Sequence, residues 1–573
     1  MTSWEAGDEP ANGEQTIWER RFLIDLIIVG LIGLVIQGFW AWQVREPTYL
    51  DAYYYTTNGQ RLADGYGFTE RIIWQYFDNP EGIPTPSHTY WMPFTSMLAA
   101  AGYTIQDSFR GAQIPFWLLS GLLPLLSFGI ATLLGGERWQ AWTAALFTAA
   151  GGYYAAFMVQ PSTFAPFAWA GASCLLFIGL TISVPKRSNH QDDRIIKGNL
   201  VKQRLYLLLT GIAAGFAHLT RADGLLFLII GIAFWILYAA KGSRGPAKST
   251  KDPNQHGEEV NTYPVNGRLF WSGLLILLAG YILVMGFWLT RNWLVTGGPL
   301  PQGGTQSLFL TTYDDIFAFN RPLDFRSYID WGMINILKSK LQGISIGVQT
   351  YVAVLGFIFL VPFVIAGLVN SLKNPTRNRF IWPVLAYVSV LFLIMTLLFT
   401  FPGMRGSLFH SSIAAWPWST VLATFGIGIS IDWVAARLSH WQPQKAKRRF
   451  SIMFVVLAFI VGFVISWPRT QSSEDGDLLS EIGKSLPKDA VIFAGNAPAI
   501  NYYTGLAALS VPNEPVNRMM EAADKFGGTY LILDENHPKP LVDLYHGNRD
   551  YPDIQLIDRY DNIKIYRLLV PGS

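Results

Sequence analysis

The chain has 573 residues, of which 51% are hydrophobic and only 14% are charged. Soluble domains carry about 25% charged residues, so this composition excludes an ordinary soluble protein and predicts a membrane protein. The net charge of +3 gives no electrostatic footprint for nucleic acid. The single cysteine, Cys174, excludes a disulfide within the chain.

Apolar stretches that could cross a bilayer recur along most of the chain. A membrane-spanning helix needs about 20 predominantly apolar residues. We predict eleven spans, at 22–42, 111–134, 141–159, 166–184, 205–220, 224–240, 269–290, 346–370, 380–401, 411–434 and 451–467. The expected fold is a polytopic α-helical membrane protein, with residues 1–21 as a cytoplasmic N-terminus and 22–467 as the transmembrane domain.

Lysine and arginine predict which side of the membrane each loop faces. Basic residues concentrate in four short loops, at 185–204, 241–268, 372–379 and 435–450. Because short basic loops stay in the cytoplasm, the loops 43–110 and 291–345 and the tail 468–573 are expected on the extracytoplasmic side of the plasma membrane. The whole tail would then lie outside the cytoplasm.

The tail 468–573 has the pattern of a small α/β domain. DAVIFAGN (489–496) and TYLILDEN (529–536) are typical of buried strands, and NRMMEAADKFG (517–527) of a helix that ends at glycine. Residues 554–569 predict a closing hairpin about Asp561 and Asn562. Because the tail has no glycine-rich phosphate loop, we expect an accessory or acceptor-binding domain.

Two other segments have a predicted arrangement of their own. Segment 241–268 is polar and contains glycine and proline, which favours a flexible cytoplasmic linker. Segment 325–342 alternates apolar and basic residues at roughly helical spacing, which predicts a helix along the outer membrane surface.

The stretch YLDAYYYTTNGQRL (49–62) follows directly on the first span. If it is helical, Asp51, Tyr54 or Tyr55, and Asn58 share one face. One interpretation is structural, since an acid near a helix N-terminus favours the dipole and tyrosines anchor at interfaces. The other is functional, with the carboxylate as a catalytic group. The 68-residue loop 43–110 is rich in aromatic and ionisable residues, which favours the functional interpretation.

The order of these features resembles the GT-C glycosyltransferases, closest to the branch of protein O-mannosyltransferases and aminoarabinose transferases. The matching stretches are YLDAYY (49–54), HTYWMP (88–93), Gly102 to Arg110, GFAHLTRADG (215–224), TRNW (290–293), GGPLP (297–301) and NYYTG (501–505). The chain departs from the mannosyltransferases at Ala52, where they have glutamate, and from the aminoarabinose transferases at 87–90, where they have Glu-Lys-Pro-Pro.

The resemblance implies a GT-C fold and a hexosyl or pentosyl transferase. Such an enzyme moves a sugar from a polyprenyl-phosphate donor to an acceptor hydroxyl on the extracytoplasmic face, with inversion at the anomeric carbon. The implied partners are that donor, a glycan, lipid or protein acceptor, and the lipid bilayer. The cofactor stays open, with a divalent metal possible in the family and no residue assigned here as a metal ligand.

The resemblance also assigns candidate site residues. Asp51 is the expected catalytic base, because it matches the family position and stands at the membrane boundary. The expected donor-binding residues supply cations or hydrogen bonds, and they are Arg110, His88, Tyr54, Tyr55, Arg221 and Arg291. Five of them have a structural alternative: an interfacial role for Arg110, packing or a solvated loop for His88, membrane anchoring for the two tyrosines, and an ion pair of Arg221 with Asp223. Arg291 and Arg405 are weaker candidates for the same outer cavity, and His410 is interpreted as an interfacial histidine.

Two other classes of function compete with the enzyme. A transporter or flippase would show paired halves and ionisable residues within its spans. Here the candidate charges lie at the outer ends of spans and no paired halves are evident, which favours the enzyme. A membrane scaffold that presents the tail would leave the aromatic and acidic loop without a purpose.

Overall fold

The computed structural model describes residues 12–185, 193–243, 266–300, 303–438 and 440–570. It is mostly helical, at 71%, as the apolar composition predicts. Two sequence predictions lie partly outside the described residues. The parts concerned are residues 1–11 of the predicted N-terminal segment and residues 244–265 of the predicted linker.

The first half of the chain consists of helices, with three very short strands in the loop 43–110. In chain order its elements are α1 (Asn12–Gln43), α2 (Leu50–Ala63), β1 (Thr69–Glu70), β2 (Ile72–Ile73), β3 (Thr85–Pro86), α3 (Phe94–Ile105), α4 (Phe109–Leu133), α5 (Arg138–Ala150), α6 (Ala155–Met158), α7 (Phe164–Ser183), α8 (Asp193–Thr220), α9 (Leu225–Ser243) and α10 (Gly267–Thr296).

A loop of short helical turns follows α10. After this loop the chain is again mainly helical as far as residue 466. These helices are α11 (Phe325–Asp330), α12 (Met333–Val354), α13 (Val361–Lys373), α14 (Asn378–Leu393), α15 (Thr400–Pro402), α16 (Leu408–Ser412), α17 (Trp416–Ala435) and α18 (Pro443–Ser466). One large apolar core, which includes Phe128, Trp235, Trp288 and Trp418, joins helices from both halves.

Eight helices among the described residues are long and apolar enough to cross a membrane. Their ranges are Arg20–Gln43, Phe109–Leu133, Phe164–Ser183, Ala222–Ala240, Gly267–Thr296, Asn378–Leu398, Thr400–Ala435 and Pro443–Thr470. Each coincides with one of the eleven predicted spans. The chain is therefore an integral, multi-pass membrane protein.

The other three predicted spans are also helical, but they depart from an uninterrupted apolar helix. Helix α5 stops after 13 residues at Gly151, whose φ of 69° suits glycine and ends the helix. Helix α12 ends at Val354 and α13 begins only at Val361, so the predicted span 346–370 is broken. The span 205–220 is the second half of α8, whose first half is polar.

The predicted surface helix 325–342 is divided between two elements. Helix α11 ends at Asp330, and Gly332 with a φ of 103° separates it from α12. Helix α12 then runs without a break from Met333 into the predicted span 346–370. The second long loop, predicted as 291–345, therefore ends in the structure at residue 332, thirteen residues earlier than the sequence indicates.

The tail alternates helices and strands as the sequence predicts. Its elements are α19 (Gly476–Ser485), β4 (Val491–Ala494), α20 (Ala497–Thr504), β5 (Ala507–Ser510), α21 (Val516–Phe526), β6 (Tyr530–Leu533), α22 (Val542–His546), β7 (Ile554–Tyr560) and β8 (Ile563–Leu568). The two predicted strands, the predicted helix and the hairpin about Asp561 are all confirmed.

The tail strands form a six-stranded sheet that is not confined to the tail. Its strand order is β2-β5-β4-β6-β8-β7, with β2, β5, β4 and β6 parallel and the hairpin antiparallel. Strand β2 comes from the loop 43–110, and it pairs Ile72 with Ala508 and Ile73 with Leu509. The loop and the tail therefore fold as one body, which the sequence analysis treated as two separate parts.

Candidate functional site

Helix α2 carries the tyrosine run and brings its side chains to three different surroundings. Tyr49 is extended (φ −161°, ψ 165°) and starts the helix, so that Asp51 falls in the first turn. Tyr53, Tyr54 and Tyr55 are successive and all buried, and a helix turns about 100° per residue. Each ring therefore points to a different neighbour, and only Tyr55 lies close to the Asp51 carboxylate.

Asp51 is a partly buried acid beside a fixed positive charge. Burial raises the pKa of Asp51 to about 6, and the positive charge of Arg221 partly opposes that rise. Burial and the charge of Asp51 also raise the pKa of the Tyr55 phenol, which the charge of Arg221 opposes. In the described parts of the chain no other side chain hydrogen-bonds to the Asp51 carboxylate, so it is available to a substrate.

Arg221 is held in place by an ion pair. Its Nε lies 3.0 Å from Oδ1 of Asp223 and 3.1 Å from Oγ of Ser411, and its Nη1 lies 3.4 Å from Oγ1 of Thr163. Ser411 in turn donates to Asp223. The ion pair expected as the structural alternative is thus confirmed. The positive charge of Arg221 acts on Asp51 electrostatically. Asp223 neutralises much of the charge of Arg221.

Two further tyrosines come from the two long loops and lie near Asp51. Burial raises the pKa of Tyr90 to about 12, a hydrogen bond with Ser307 and the charge of Arg221 oppose the rise, and Asp51 adds to it. Burial, and after it the neighbouring Tyr90 and Asp51, raise the pKa of Tyr313. Both phenols therefore stay neutral and can donate hydrogen bonds beside the carboxylate.

A 3₁₀ turn, Tyr313–Phe317, positions Tyr313. Thr312 caps the turn, and the Asp315 carboxylate accepts hydrogen bonds from the backbone of Thr311 and Thr312. Arg321 pairs with the same carboxylate at 2.5 Å. A buried and fully bonded acid of this kind makes the turn rigid, so the Tyr313 ring has a defined place above the site.

Arg405 lies beside Tyr313 and has no counter-ion among the described residues. It lies in the π-helical turn Gly403–Ser407, where Gly406 has a φ of 158° that only glycine adopts readily. The Arg405 Cζ lies 5.2 Å from the centre of the Tyr313 ring. Its side chain is exposed and makes neither a hydrogen bond nor a salt bridge within the described residues. The sequence ranked Arg405 as a weaker candidate, and it missed Tyr313.

Solved membrane glycosyltransferases share this architecture. The archaeal oligosaccharyltransferase AglB from Archaeoglobus fulgidus, in complex with an inhibitory peptide and a dolichol-phosphate, aligns with a TM-score of 0.52 and 13% identity over 89% of this chain and 69% of that chain. ArnT from Cupriavidus metallidurans in the apo state aligns with a TM-score of 0.51 and 12% identity over 98% and 100%. Both are GT-C membrane glycosyltransferases. The chain has the GT-C fold.

No family model and no curated protein sequence matches the chain. At 12–13% identity the likeness shows the GT-C fold alone, because one fold can host different functions. The role of each residue is therefore argued from its contacts in this chain.

His88 occupies the interior of this GT-C chain. Its Nδ1 lies 2.8 Å from Oγ of Ser87 and its Nε2 lies 2.9 Å from Oγ of Ser96, so both ring nitrogens have partners. Burial lowers the pKa of His88 to about 3, with a smaller contribution from Arg291. A neutral ring with both nitrogens bonded supports the packing alternative for His88, and its role as a phosphate donor stays a prediction.

Arg110 caps a helix and does not reach the Asp51 site. Its guanidinium donates to the backbone carbonyls of Ala41, Trp42 and Val44 at the end of α1, and to the side chain of Gln113. Orphan carbonyls at a helix C-terminus favour a cation there. The interfacial alternative is thus supported, and the donor-binding role predicted for Arg110 is not.

Tyr54 and Arg291 belong to a buried cluster around His88 and Glu70. The Tyr54 hydroxyl accepts from the backbone N–H of His88 at 3.0 Å, and it faces Glu70, whose pKa burial raises to about 8. Arg291 donates to the carbonyl oxygens of Phe68 and Ser87. These contacts hold the loop 43–110 in place, and the predicted role of the two residues in donor binding stays a prediction.

The Asp51 site does not fit a divalent cation. Hard cations take several oxygen ligands, usually from more than one carboxylate, and Ala52 offers none beside Asp51. Asp223 is already bonded to Arg221 and Ser411. Among the described residues no three His, Cys, Asp or Glu side chains converge. The chemistry is therefore derived from the side chains alone.

Proposed function

We propose that the protein is a glycosyltransferase that moves a sugar from a polyprenyl-phosphate donor to an acceptor hydroxyl, with inversion. The observation that carries this proposal is that the phenol of Tyr313 senses the charge of an available carboxylate, Asp51, and also lies under an unpaired guanidinium, Arg405. Acyl or sugar transfer to a hydroxyl needs a base for the proton and a cation for the leaving group.

In the proposed reaction Asp51 accepts the proton of the acceptor hydroxyl as its oxygen attacks the anomeric carbon. The bond between that carbon and the phosphate oxygen breaks, and its electron pair leaves with the polyprenyl phosphate. Arg405 stabilises the negative charge that grows on the departing phosphate, because a guanidinium binds phosphate oxygens in a fork and stays charged. The positive charge of Arg221 opposes the rise that burial causes in the pKa of Asp51, so the carboxylate is ionised near neutral pH.

The set of carboxylates favours inversion over retention. A retaining enzyme needs a second carboxylate as a nucleophile on the other face of the sugar. The second acid near this site is Asp223, and its oxygens are bonded to Arg221 and Ser411. One available base supports direct displacement by the acceptor.

A lipid-linked donor is supported by the surroundings of the site. The loops that carry Tyr90 and Tyr313 connect apolar helices, so a polyprenyl tail could lie among the spans while its phosphate reaches Arg405. The AglB structure of the same fold was solved with a dolichol-phosphate. The basic loops support an extracytoplasmic site in the plasma membrane, where nucleotide sugars are scarce and the donor must be anchored.

The proposal is tested with purified protein in liposomes that contain a polyprenyl-phosphate sugar labelled in the sugar. We expect labelled sugar on an added acceptor and stoichiometric release of polyprenyl phosphate. The competing flippase would move the intact donor across the bilayer. Movement without any cleaved donor would overturn the enzyme and favour that alternative.

The orientation is tested by cysteine labelling in intact cells. Asp64 is exposed just after α2, and Ala436 is exposed at the end of α17, while the natural Cys174 is buried. We expect Asp64→Cys to react with an impermeant thiol reagent and Ala436→Cys to react only after lysis. The reverse pattern would contradict an extracytoplasmic site.

A further inference from the structure

A chain of hydroxyl groups joins the tail to the helix that carries Asp51. The Tyr53 hydroxyl on α2 lies 2.6 Å from Oγ of Ser472 and 2.9 Å from the hydroxyl of Tyr503 on α20. Tyr503 in turn donates to Oε2 of Glu46 at 2.8 Å. Three parts of the protein therefore meet here, namely the entry to α2, α2 itself and the tail.

The hydrogen bonds of this chain run in one direction. A hydroxyl has one proton to donate, and Tyr503 gives its proton to Glu46, so Tyr503 accepts from Tyr53. Tyr53 then accepts from Ser472, whose oxygen accepts from the backbone N–H of Glu474. Since each hydroxyl donates once and accepts once, the loss of any one of them breaks the chain at that point.

Tyr503 holds the segment 46–53 at both of its ends. Glu46 lies five residues before Asp51, and Tyr53 lies two residues after it. Asp51 itself lies in the first turn of α2, where no side chain caps the helix. Helix ends fray unless other contacts hold them, so the position of the Asp51 carboxylate depends on how the flanking residues are fixed.

The tail makes room for the Tyr503 ring at Gly476, the first residue of α19. A β-carbon added at Gly476 would lie 2.8 Å from Cζ and 3.0 Å from the hydroxyl oxygen of Tyr503. Carbon atoms pack at about 3.5–4.0 Å, so a side chain at position 476 would push the ring away. Packing therefore fixes the ring where its hydroxyl reaches both Tyr53 and Glu46.

We propose that Tyr503 is a positioning residue, through which the tail fixes the place of the base Asp51. The inference rests on the proposed function and deepens it, because it assigns the tail a part in the transfer step. Tyr503 acts through Glu46 and Tyr53 and is not assigned a contact with substrate. A base must lie within hydrogen-bond reach of the proton that it accepts, and a displacement of about 1 Å can lower a rate about 10²-fold.

Tyr503→Phe tests the inference, because it keeps the ring and removes the hydroxyl. The assay uses liposomes with the labelled polyprenyl-phosphate sugar that the unaltered protein cleaves. We expect kcat per donor site to fall at least about tenfold, with the KM of the donor and the melting temperature unchanged. Donor sites are counted by titration with polyprenyl phosphate, so unfolded protein does not lower the measured kcat.

Tyr502→Phe is the matched control for the loss of a hydroxyl. The Tyr502 ring packs against the rings of Tyr53 and Tyr503, but its hydroxyl makes no hydrogen bond within the part of the chain that the structure describes. We expect Tyr502→Phe to keep the kcat of the unaltered protein.

Gly476→Ala gives a second readout that keeps every hydroxyl of the chain. The added methyl group displaces the Tyr503 ring, so we expect a fall in kcat like that of Tyr503→Phe. Because both changes break the same contact, the double variant should lose no more than the worse single variant. Gly495→Ala is the control, since a β-carbon at Gly495 meets no atom within 4 Å.

Unchanged kcat per donor site in Tyr503→Phe would overturn the inference and leave the glycosyltransferase in place. An equal fall of kcat in Tyr502→Phe, or a lower melting temperature with unchanged kcat per donor site, would also overturn it. If Tyr503→Phe does not fold, the comparison of Gly476→Ala with Gly495→Ala decides. An unaltered protein that transfers no sugar would overturn the proposed function itself, and this inference with it.

Discussion

The Asp51 side chain illustrates a conflict between stability and function within one residue. Its ionised form is disfavoured by burial, yet a base must be ionised to accept a proton. The partial opposition by Arg221 leaves a pKa of about 6, which is low enough for ionisation at neutral pH and high enough for proton transfer. Such tuning is common at catalytic groups.

Asp51→Asn is expected to lower kcat by about 10²–10⁴-fold, the range for loss of a general base. The same change removes a buried charge, so the apparent melting temperature should rise, with a gain of roughly 1–3 kcal/mol. Asp64→Asn is the matched control, since Asp64 is an exposed acid at the end of the same helix. Turnover that survives in Asp51→Asn would remove Asp51 as the base.

The pH dependence of sugar transfer should follow the ionisation of the Asp51 carboxyl. Transfer requires ionised Asp51, so kcat/KM is expected to rise with pH through about 6 and level off above it. Folding stability should change in the opposite sense. The folded protein holds the proton up to about pH 6 and an unfolded aspartate only to about 3.9, so the contribution of Asp51 to stability falls as pH rises between these values. A profile that is flat between pH 5 and 7 would contradict this assignment.

Arg405 is expected to act on the donor phosphate. Removing one stabilising group for a developing anion typically costs about 10²–10³ in rate, so Arg405→Gln should lower kcat/KM by this order. Arg326→Gln offers a control, because Arg326 is an exposed arginine on α11. If both variants lose activity equally, the loss reflects general surface charge and not a defined contact.

At the scale of elements, the end of α1 depends on a side chain from α4. Arg110→Ala would leave the carbonyls of Ala41, Trp42 and Val44 without their charged donor. Hydrogen bonds to charged groups contribute about 1.5–3 kcal/mol each, so we expect a lower apparent melting temperature. Donor affinity of the folded fraction should stay unchanged in a titration. A selective loss of donor affinity at unchanged stability would restore the phosphate role first expected for Arg110.

At the scale of the whole molecule, the tail supports the site through the sheet. Strand β2 pairs with β5, and Trp74 follows β2 directly and stacks on Trp91 of the loop 43–110. On α2 the Tyr53 hydroxyl lies 2.9 Å from that of Tyr503 in the tail. The tail therefore positions both loop aromatics and the helix that carries Asp51.

Deletion of residues 468–573 should consequently not give an active membrane core. It would uncover apolar side chains that pack against the tail, among them Ile72, Trp74 and Tyr54, and exposed patches of this kind promote aggregation. We expect loss of a monodisperse peak in size-exclusion chromatography and loss of transfer. A well-behaved, active truncated protein would show that the tail is an independent accessory.

Local sequence patterns were enough to predict most elements and to single out Asp51. They did not predict which side chains surround Asp51. Helix α2, eight spans and the tail strands follow from apolar runs and periodicity. Phosphate-binding chemistry is present in Arg110, His88 and Arg291. The backbone partners of Arg110 on α1 and of Arg291 in the loop 43–110 lie far away in sequence. An arginine that caps a helix and an arginine that binds a ligand are identical in the sequence. The sequence therefore could not distinguish these two roles.

The sequence by itself determined that this is a multi-pass helical membrane protein with an α/β tail, because hydrophobicity and its period are local properties. It also singled out Asp51 by its place after the first span. Only the tertiary structure showed that Arg405 lies over the Tyr313 ring and that β2 joins the tail sheet. It also showed that Arg110, His88 and Arg291 are bonded to groups of the protein itself. Those outcomes depend on burial and on contacts between residues distant in the chain, which no local pattern encodes.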